Sequence, residues 1–435
     1  MSFYSSINRM GNVNEDNDPD YVYYNADIIN NSSNDPSTIG DDIIVKFAEN
    51  RSVPILNNSA NFDFSIIRFT MNGCGKNLPI LQPTVVIGQN NINLTDYKIT
   101  INLSKVFVDN SAVSHIFVGY ATRNIIYETE TTAYIIQNAQ LPNPPLVEQD
   151  LRGLYYYVYT YDHFSYLVNK TIGLLMKDLQ TQYTAYQATF PLPATNTTLV
   201  SQPPKLVYDP VSTLFSIYYD VSGWGDATTN NLTGQTNFEE YNMSFNENLF
   251  NLLSNFDNNY VGISNLNSQT NKLLVVNNNW TNLYNPPAAP ANVTPQPSKY
   301  WVMTQNSNST STNWSPIASI VFCSTLLPVV SEQIGQPTTY ENGSNSGTNT
   351  SSSAFQPIIT DVALPLSSAS DYRGFIQYAP SAEYRISSMS KSKQSLSNID
   401  IQVFWKSNRD NTLYPIRMTN YSNVSIKIMF RKRGL

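Results

Sequence analysis

Two stretches near the C-terminus leave the backbone little choice. In IDIQVFWK (399–406), Ile399, Ile401, Val403 and Trp405 share one side. In VSIKIMFRK (424–432), Val424, Ile426, Ile428 and Phe430 do the same, opposite Ser425, Lys427 and Arg431. Successive side chains of a strand point to opposite faces, so a strict period of two puts each apolar set on one wall. A helix would scatter the same residues around its axis. The pattern is that of antiparallel strands buried on one side and wetted on the other.

The same reading extends along the chain. YKITINL (97–103) alternates Tyr97, Ile99, Ile101 and Leu103. NFDFSIIRF (61–69) alternates Phe62, Phe64 and Ile66, then changes phase to Ile67 and Phe69, which predicts a bulge or burial on both faces. Further strands are predicted at 115–120, 132–137 and 315–322. A helix is predicted over 161–180, where Phe164, Leu167, Val168, Ile172, Leu175 and Leu179 form a stripe at helical spacing. Asp162 is its expected N-cap, and the stripe is read as packing against a sheet. ENLFNLL (247–253) predicts a shorter helical turn.

Many short strands with one prominent helix predict an all-β protein: a jelly-roll β-sandwich with an inserted or capping β-rich subdomain. A tandem double jelly roll is the alternative. The expected division is a flexible, polar N-terminal arm (1–40), then the first part of the jelly-roll core with the helix (41–184). A second β-rich subdomain (185–310) and C-terminal strands completing the sandwich (311–435) follow. ENGSNSGTNTSSS (341–353) reads as a flexible loop.

With 435 residues the chain can bury a sizeable core. Only 13% of residues are charged while 12% are aromatic, a composition suited to a surface largely covered by partners. A net charge of −7 argues against a general nucleic-acid binder. Cys74 and Cys323 are the only cysteines, so a disulfide scaffold is not expected and folding in a reducing compartment is. MSFYSSINRMGNVNEDNDPDY shows no signal-peptide pattern, and no run approaches a membrane span.

The chemistry-bearing residues form no catalytic or metal-binding motif. His115 and His163 are the only histidines, and neither lies at motif distance from a Ser, Cys or paired carboxylate; both read as structural. NGCGKN (72–77) departs from the phosphate-loop spacing, and GWG (223–225) reads as a turn. Asp16, Asp18 and Asp20 begin like a calcium loop, but Tyr21 stands where Gly is needed and Asp27 where a bidentate Glu is. A solvated acidic arm is the better reading. Arg431, Lys432 and Arg433 read as a solvent-facing basic end. No catalytic residue, cofactor or metal site is therefore expected, and no enzyme.

SDYRGFIQYAPSAEYRI (370–386) is the clearest candidate for a partner surface. A turn at Ala379-Pro380-Ser381-Ala382 predicts a hairpin. Phe375, Gln377, Tyr384 and Ile386 would then face the core. Ile376, Tyr378, Glu383 and Arg385 would face outward, setting a carboxylate and a guanidinium beside a tyrosine. Tyr378, Glu383 and Arg385 are the predicted assembly-interface residues.

Several blocks in order resemble a known family. They are FSIIRFTMNGCGKNLPILQP (64–83), YYYVYTYDHFSYLVN (155–169), PPKLVYDPVSTLFSIYYD (203–220) and FNENLFNLL (245–253). NWSPIASIVFCSTLLPVVSEQ (313–333), PIITDV (357–362), YAPSAEYRI (378–386), LSNIDIQVFWKSNRDNTLYPIRM (396–418) and VSIKIMFRK (424–432) complete the set. Together they resemble the penton-like or minor capsid proteins of polinton-like viruses and virophages. The resemblance implies a jelly-roll protein of an icosahedral double-stranded DNA virion, assembled inside the host cell. It implies a vertex subunit that partners itself, as a homopentamer, and other capsid proteins of the virion. The alternatives are a double jelly-roll major capsid protein forming trimers, and a β-sandwich receptor-binding or adhesin module.

Overall fold

The computed structural model describes residues 18–30, 43–72, 78–86, 90–109, 111–129, 154–190, 198–199, 201–221, 239–261, 271–274, 300–307, 314–328, 358–363, 375–379, 386–389, 394–409, 411–418 and 422–433. The described elements begin with β1 (Tyr21–Ile29), β2 (Ile43–Ile44), β3 (Lys46–Asn50) and β4 (Phe62–Asn72). Then come β5 (Leu94–Val108), β6 (Ser114–Ile126) and a long helix (Tyr161–Gln187). β7 (Lys205–Asp209), β8 (Leu214–Asp220) and β9 (Glu239–Asn246) lead to a short helix (Glu247–Leu252). β10 (Asn258–Val261), β11 (Asn271–Leu274) and β12 (Tyr300–Thr304) follow. The last third holds β13 (Ile317–Cys323), β14 (Ile358–Val362), β15 (Phe375–Tyr378), β16 (Ser387–Ser388) and β17 (Asn398–Ser407). It ends with β18 (Leu413–Pro415), β19 (Arg417–Met418) and β20 (Asn423–Lys432).

Two antiparallel sheets form the sandwich. One has the order β1-β20-β4-β15, with β16 also on β4; the other has β14-β13-β17-β18, with β3 also on β17. In chain order, β1, β4, β15 and β20 fall in the first sheet, and β3, β13, β14 and β17 in the second. That alternation is the jelly roll. The predicted stripes meet inside it. Ile399, Ile401, Val403 and Trp405 face Val424, Ile426, Ile428 and Phe430 in one buried cluster, and Phe69 meets Phe322 edge-on at 5.1 Å. The phase change in β4 is a bulge. Ile428 pairs with Ile66 and Lys427 with Arg68, leaving Ile67 as the extra residue.

β1 revises the expected arm. Residues 21–29 pair with β20 at nine consecutive positions, and Tyr24 and Ala26 are buried. The period-two signal was present in Val22, Tyr24, Ala26 and Ile28, overshadowed by the acidic residues before it. Asp18 is not a solvated acid either. It is buried, and its carboxylate accepts from Asn57 N and Nδ2 at 2.8 Å each and from Asn58 N at 3.2 Å.

A second core lies in the chain between β4 and β13. Its sheets are β10-β11-β9-β5-β6 and β12-β8-β7. Tyr97, Ile99, Ile101 and Leu103 join the helix residues Phe164, Leu167, Val168, Ile172, Leu175 and Leu179 in it. The helix, expected in the jelly-roll core, thus packs with β5 and β6 instead, so a division at residue 184 would separate elements of one core. Its N-cap is Thr160, whose side chain accepts from His163 N, while Asp162 sits in the first turn. The helix runs on past 180 because Tyr183 and Gln187 are also buried. A Cβ at Gly119 would lie 2.7 Å from Phe117 Cζ and 2.9 Å from Leu179 Cδ2, so glycine permits the close approach of helix and β6.

The stretch YYYVY (155–159) joins the cores by alternation. Tyr156 and Val158 are buried in the second core, Tyr157 in the sandwich. Ile80 N and Val158 N donate to Val158 O and Leu81 O at 2.8 and 2.9 Å. Tyr157 meets Trp405 at 5.8 Å, and Trp405 stacks on Tyr414 at 4.5 Å.

Asp400 on β17 closes the turn after β13. Its carboxylate accepts from Ser324 Oγ (2.5 Å), Thr325 Oγ1 (2.7 Å), Leu326 N (2.8 Å) and Thr325 N (3.0 Å). Burial alone would raise its pKa; these donors outweigh burial and hold it below the ordinary carboxylate value. A depressed folded-state pKa adds stability that is complete above the unfolded value and fades as pH falls through the folded one. Denaturant titrations stepped from pH 5 down to pH 2 should lose stability with acid, and part of that slope should vanish in Asp400→Asn. An unchanged slope in the variant would rule Asp400 out as a contributor.

Candidate assembly surface

The structure reverses the face expected at 375–378. β15 takes its partner from the described strands of the sandwich. It pairs with β4, with Ile376 opposite Met71 and Tyr378 opposite Phe69, and β16 pairs further along the same strand. Met71 and Phe69 face the core, so Ile376 is buried and Tyr378 packs against the sandwich cluster. Phe375, expected inside, is 51% exposed, and Gln377 is exposed with it. Glu383 and Arg385 lie outside the described residues, as do the predicted strand at 132–137, the loop at 341–353, residues 73–77 and Gly223-Trp224-Gly225.

At the other end of this sheet, β1 carries an exposed row. Tyr21, Tyr23 and Ile29 are 46%, 55% and 60% exposed, and Asn25 and Asp27 between them are exposed too. Alternation explains the row: the even-numbered residues face the core. The Tyr21 and Tyr23 rings are parallel at 6.5 Å, and Lys427 Nζ lies 5.0 Å from the Tyr23 ring centroid. Arg431 pairs in register with Tyr21, and Arg68 is exposed on β4. Arg433 is not a loose end, since its Nε donates to Asp63 Oδ1 at 2.8 Å and its Nη2 to Met389 O at 2.6 Å. Exposed tyrosines beside arginine are a composition favoured at protein interfaces. Sequence reasoning missed this row because 21–29 was assigned to the arm.

Several polar groups among the described residues hold the fold together. His163 Nε2 bonds with Glu128 O at 2.7 Å, and His115 Nε2 with Asp109 Oδ2 at 3.0 Å. The His115 bond and the backbone N–H of Val113 and Ser111 hold the Asp109 pKa below the usual range. Cys323 is a buried free thiol whose pKa burial pushes up to about 12, which keeps it unreactive. Lys105 and Glu239 form an ion pair at 3.0 Å, with side chains 1% and 0% exposed. Lys105 also donates to Thr198 O at 2.9 Å, and Glu239 accepts from Ser201 N at 2.8 Å. Among the described residues no group of three or more His, Cys, Asp or Glu could hold a metal ion. No helix there is long and apolar enough to cross a membrane.

The family described as Sputnik minor capsid protein V18/19 matches the sequence over residues 22–432, from β1 to the end of β20. The chain belongs to this family. As a member of the Sputnik minor capsid protein V18/19 family it is a structural protein of the viral capsid, located in the virion, as the sequence blocks implied. A chain of the Sputnik virophage, solved by cryo-EM at 3.5 Å resolution, is similar with a TM-score of 0.64 and 21% identity, covering 96% of this chain and 99% of that one. The mavirus penton protein, from its selenomethionine-labelled crystal structure, is similar with a TM-score of 0.50 and 14% identity, covering 95% and 99%. Both likenesses are of fold. No curated protein matches the sequence.

Proposed function

We propose that this capsid protein is the vertex subunit of the shell, five copies closing into a ring. The observation that carries this reading is the open first sheet of the jelly roll. One end exposes β1 with Tyr21, Tyr23 and Ile29; the other exposes Phe375 on β15. Different patches at opposite ends of one sheet suit head-to-tail contact, the kind that closes under cyclic symmetry. The likeness to the mavirus penton protein over 95% of the chain supports the vertex position.

In this reading Glu383 and Arg385 take part in the contact between copies. Tyr378 acts indirectly, anchoring β15 on the core. The second core is built from described residues that lie in the chain between β4 and β13, as an inserted unit would be. Among the described residues that core combines two sheets with a 27-residue helix and does not repeat the sandwich order, which favours one jelly roll over two.

Native mass spectrometry tests the ring. Purified protein should show a species of five times the 48.9 kDa subunit. A trimer would favour a trimeric capsomer instead, and a monomer persisting at high concentration would end the ring reading.

A further inference from the structure

β1 presents more than a row of side chains. Asn30 N donates to Ser422 O at 3.0 Å, and Lys432 N donates to Asp20 O at 2.9 Å. Antiparallel pairing alternates residues that bond across the ladder with residues whose N–H and C=O point away from it. Those two bonds therefore set the phase for the whole strand. The even-numbered residues of β1 bond to β20. Tyr21, Tyr23, Asn25, Asp27 and Ile29 aim their backbone groups away from the sheet. Among the described residues no strand pairs with that side.

The contrast with β6, the other long edge, is informative. There the helix covers the backbone: Gln182 Nε2 donates to Tyr120 O at 2.9 Å, and Tyr120 N donates to Gln182 Oε1 at 3.3 Å. Tyr186 OH donates to Ile116 O at 3.1 Å. Edge strands are normally blunted by such a cover, by Pro, by Lys or by being very short. β1, YVYYNADII, is nine residues long, contains no Pro, Lys or Gly, and carries one charge, Asp27. Its sequence is suited to being paired.

We propose that the free edge of β1 is a strand-docking site for a second copy of this chain. This rests on the ring reading above and gives that ring its central contact. The occupant follows from charge. The chain carries a net −7, yet β20, the strand beside β1, carries Lys427 at its middle and Arg431 and Lys432 at its end, and Arg68 lies one strand further. A cationic margin on an acidic protein is complementary to another copy of that protein. The opposite end of the same sheet, at Phe375–Tyr378, is the edge that a head-to-tail neighbour brings to it.

Hydrogen exchange read by mass spectrometry on the full chain tests the docking. In dissociated subunits the five outward amides of β1 should exchange readily while the inward ones are protected. In the five-copy species the peptide spanning 21–29 should gain about two protected amides, as many as the four-residue β15 edge can pair. Asn25→Pro removes one outward donor and leaves the β20 ladder intact. It should raise the concentration for half-assembly about tenfold or more, with the melting temperature of the dissociated subunit close to that of Asn25→Ala. A ring that forms without new protection in 21–29, or that tolerates Asn25→Pro, overturns the docking site and leaves the ring standing. Absence of any ring overturns the ring reading first. Protection that appears only when other capsid proteins are added overturns a second copy as the occupant.

Discussion

Glu239→Ala should destabilise the second core by about 3–5 kcal/mol, because it strands Lys105 as an unpaired buried cation. The pair sits where β5 and β9 lie in direct register, and both side chains are shut off from water. Thr198 O accepts a hydrogen bond from the ammonium, and the Tyr183 ring centroid lies 5.0 Å from Nζ. Neither replaces a carboxylate. The double variant Lys105→Met with Glu239→Leu should recover most of the loss, since a dry ion pair is worth little more than apolar packing of similar volume. Recovery should stop about 1–3 kcal/mol short, because Thr198 O and Ser201 N lose their partners. Urea unfolding of the three proteins measures this. A double variant no more stable than the single one would show that buried charge is not what the alanine exposed.

Trp405→Ala is expected to cost about 3–5 kcal/mol in the sandwich. Trp405 is buried on β17, stacked on Tyr414 and edge-on to Tyr157. The change empties a space on the wall where the link between the two cores is seated. Trp405→Phe should cost clearly less, because it keeps most of the apolar volume. Equal losses for the two variants would point to a lost polar contact in place of a cavity, and a loss below about 1 kcal/mol would mean the site collapses to fill itself.

The charged pair was legible in principle. Lys105 continues the stripe Tyr97, Ile99, Ile101, Leu103, and Glu239 begins the stripe Tyr241, Met243, Phe245. A charge on an apolar stripe needs an opposite charge or a functional reason. Nothing local says that the two stripes are neighbours, because 133 residues separate them in the chain (105 to 239). Asp400 was less legible still. It alternates out of phase with Ile399 and Ile401, as a solvent-facing residue would, and is buried because the turn 324–326 folds over it.

The sequence alone determined that 62–69, 97–103, 399–406 and 424–432 are strands with an apolar face, where the long helix lies and which family the chain resembles. These properties are written in side-chain periodicity over a few residues, and the pleat and the helical turn convert them directly into shape. Only the tertiary structure decided which strands are neighbours and which side of a short strand is the inside. At 375–378 the alternation was right and its sign was wrong. The pleat sets only relative orientation, and the register against Phe69 and Met71, some 300 residues away in the chain, supplied the absolute one. β1 shows the same physics. Its nine residues become part of a wall because β20, at the far end of the chain, offers the backbone partners that the arm itself does not contain.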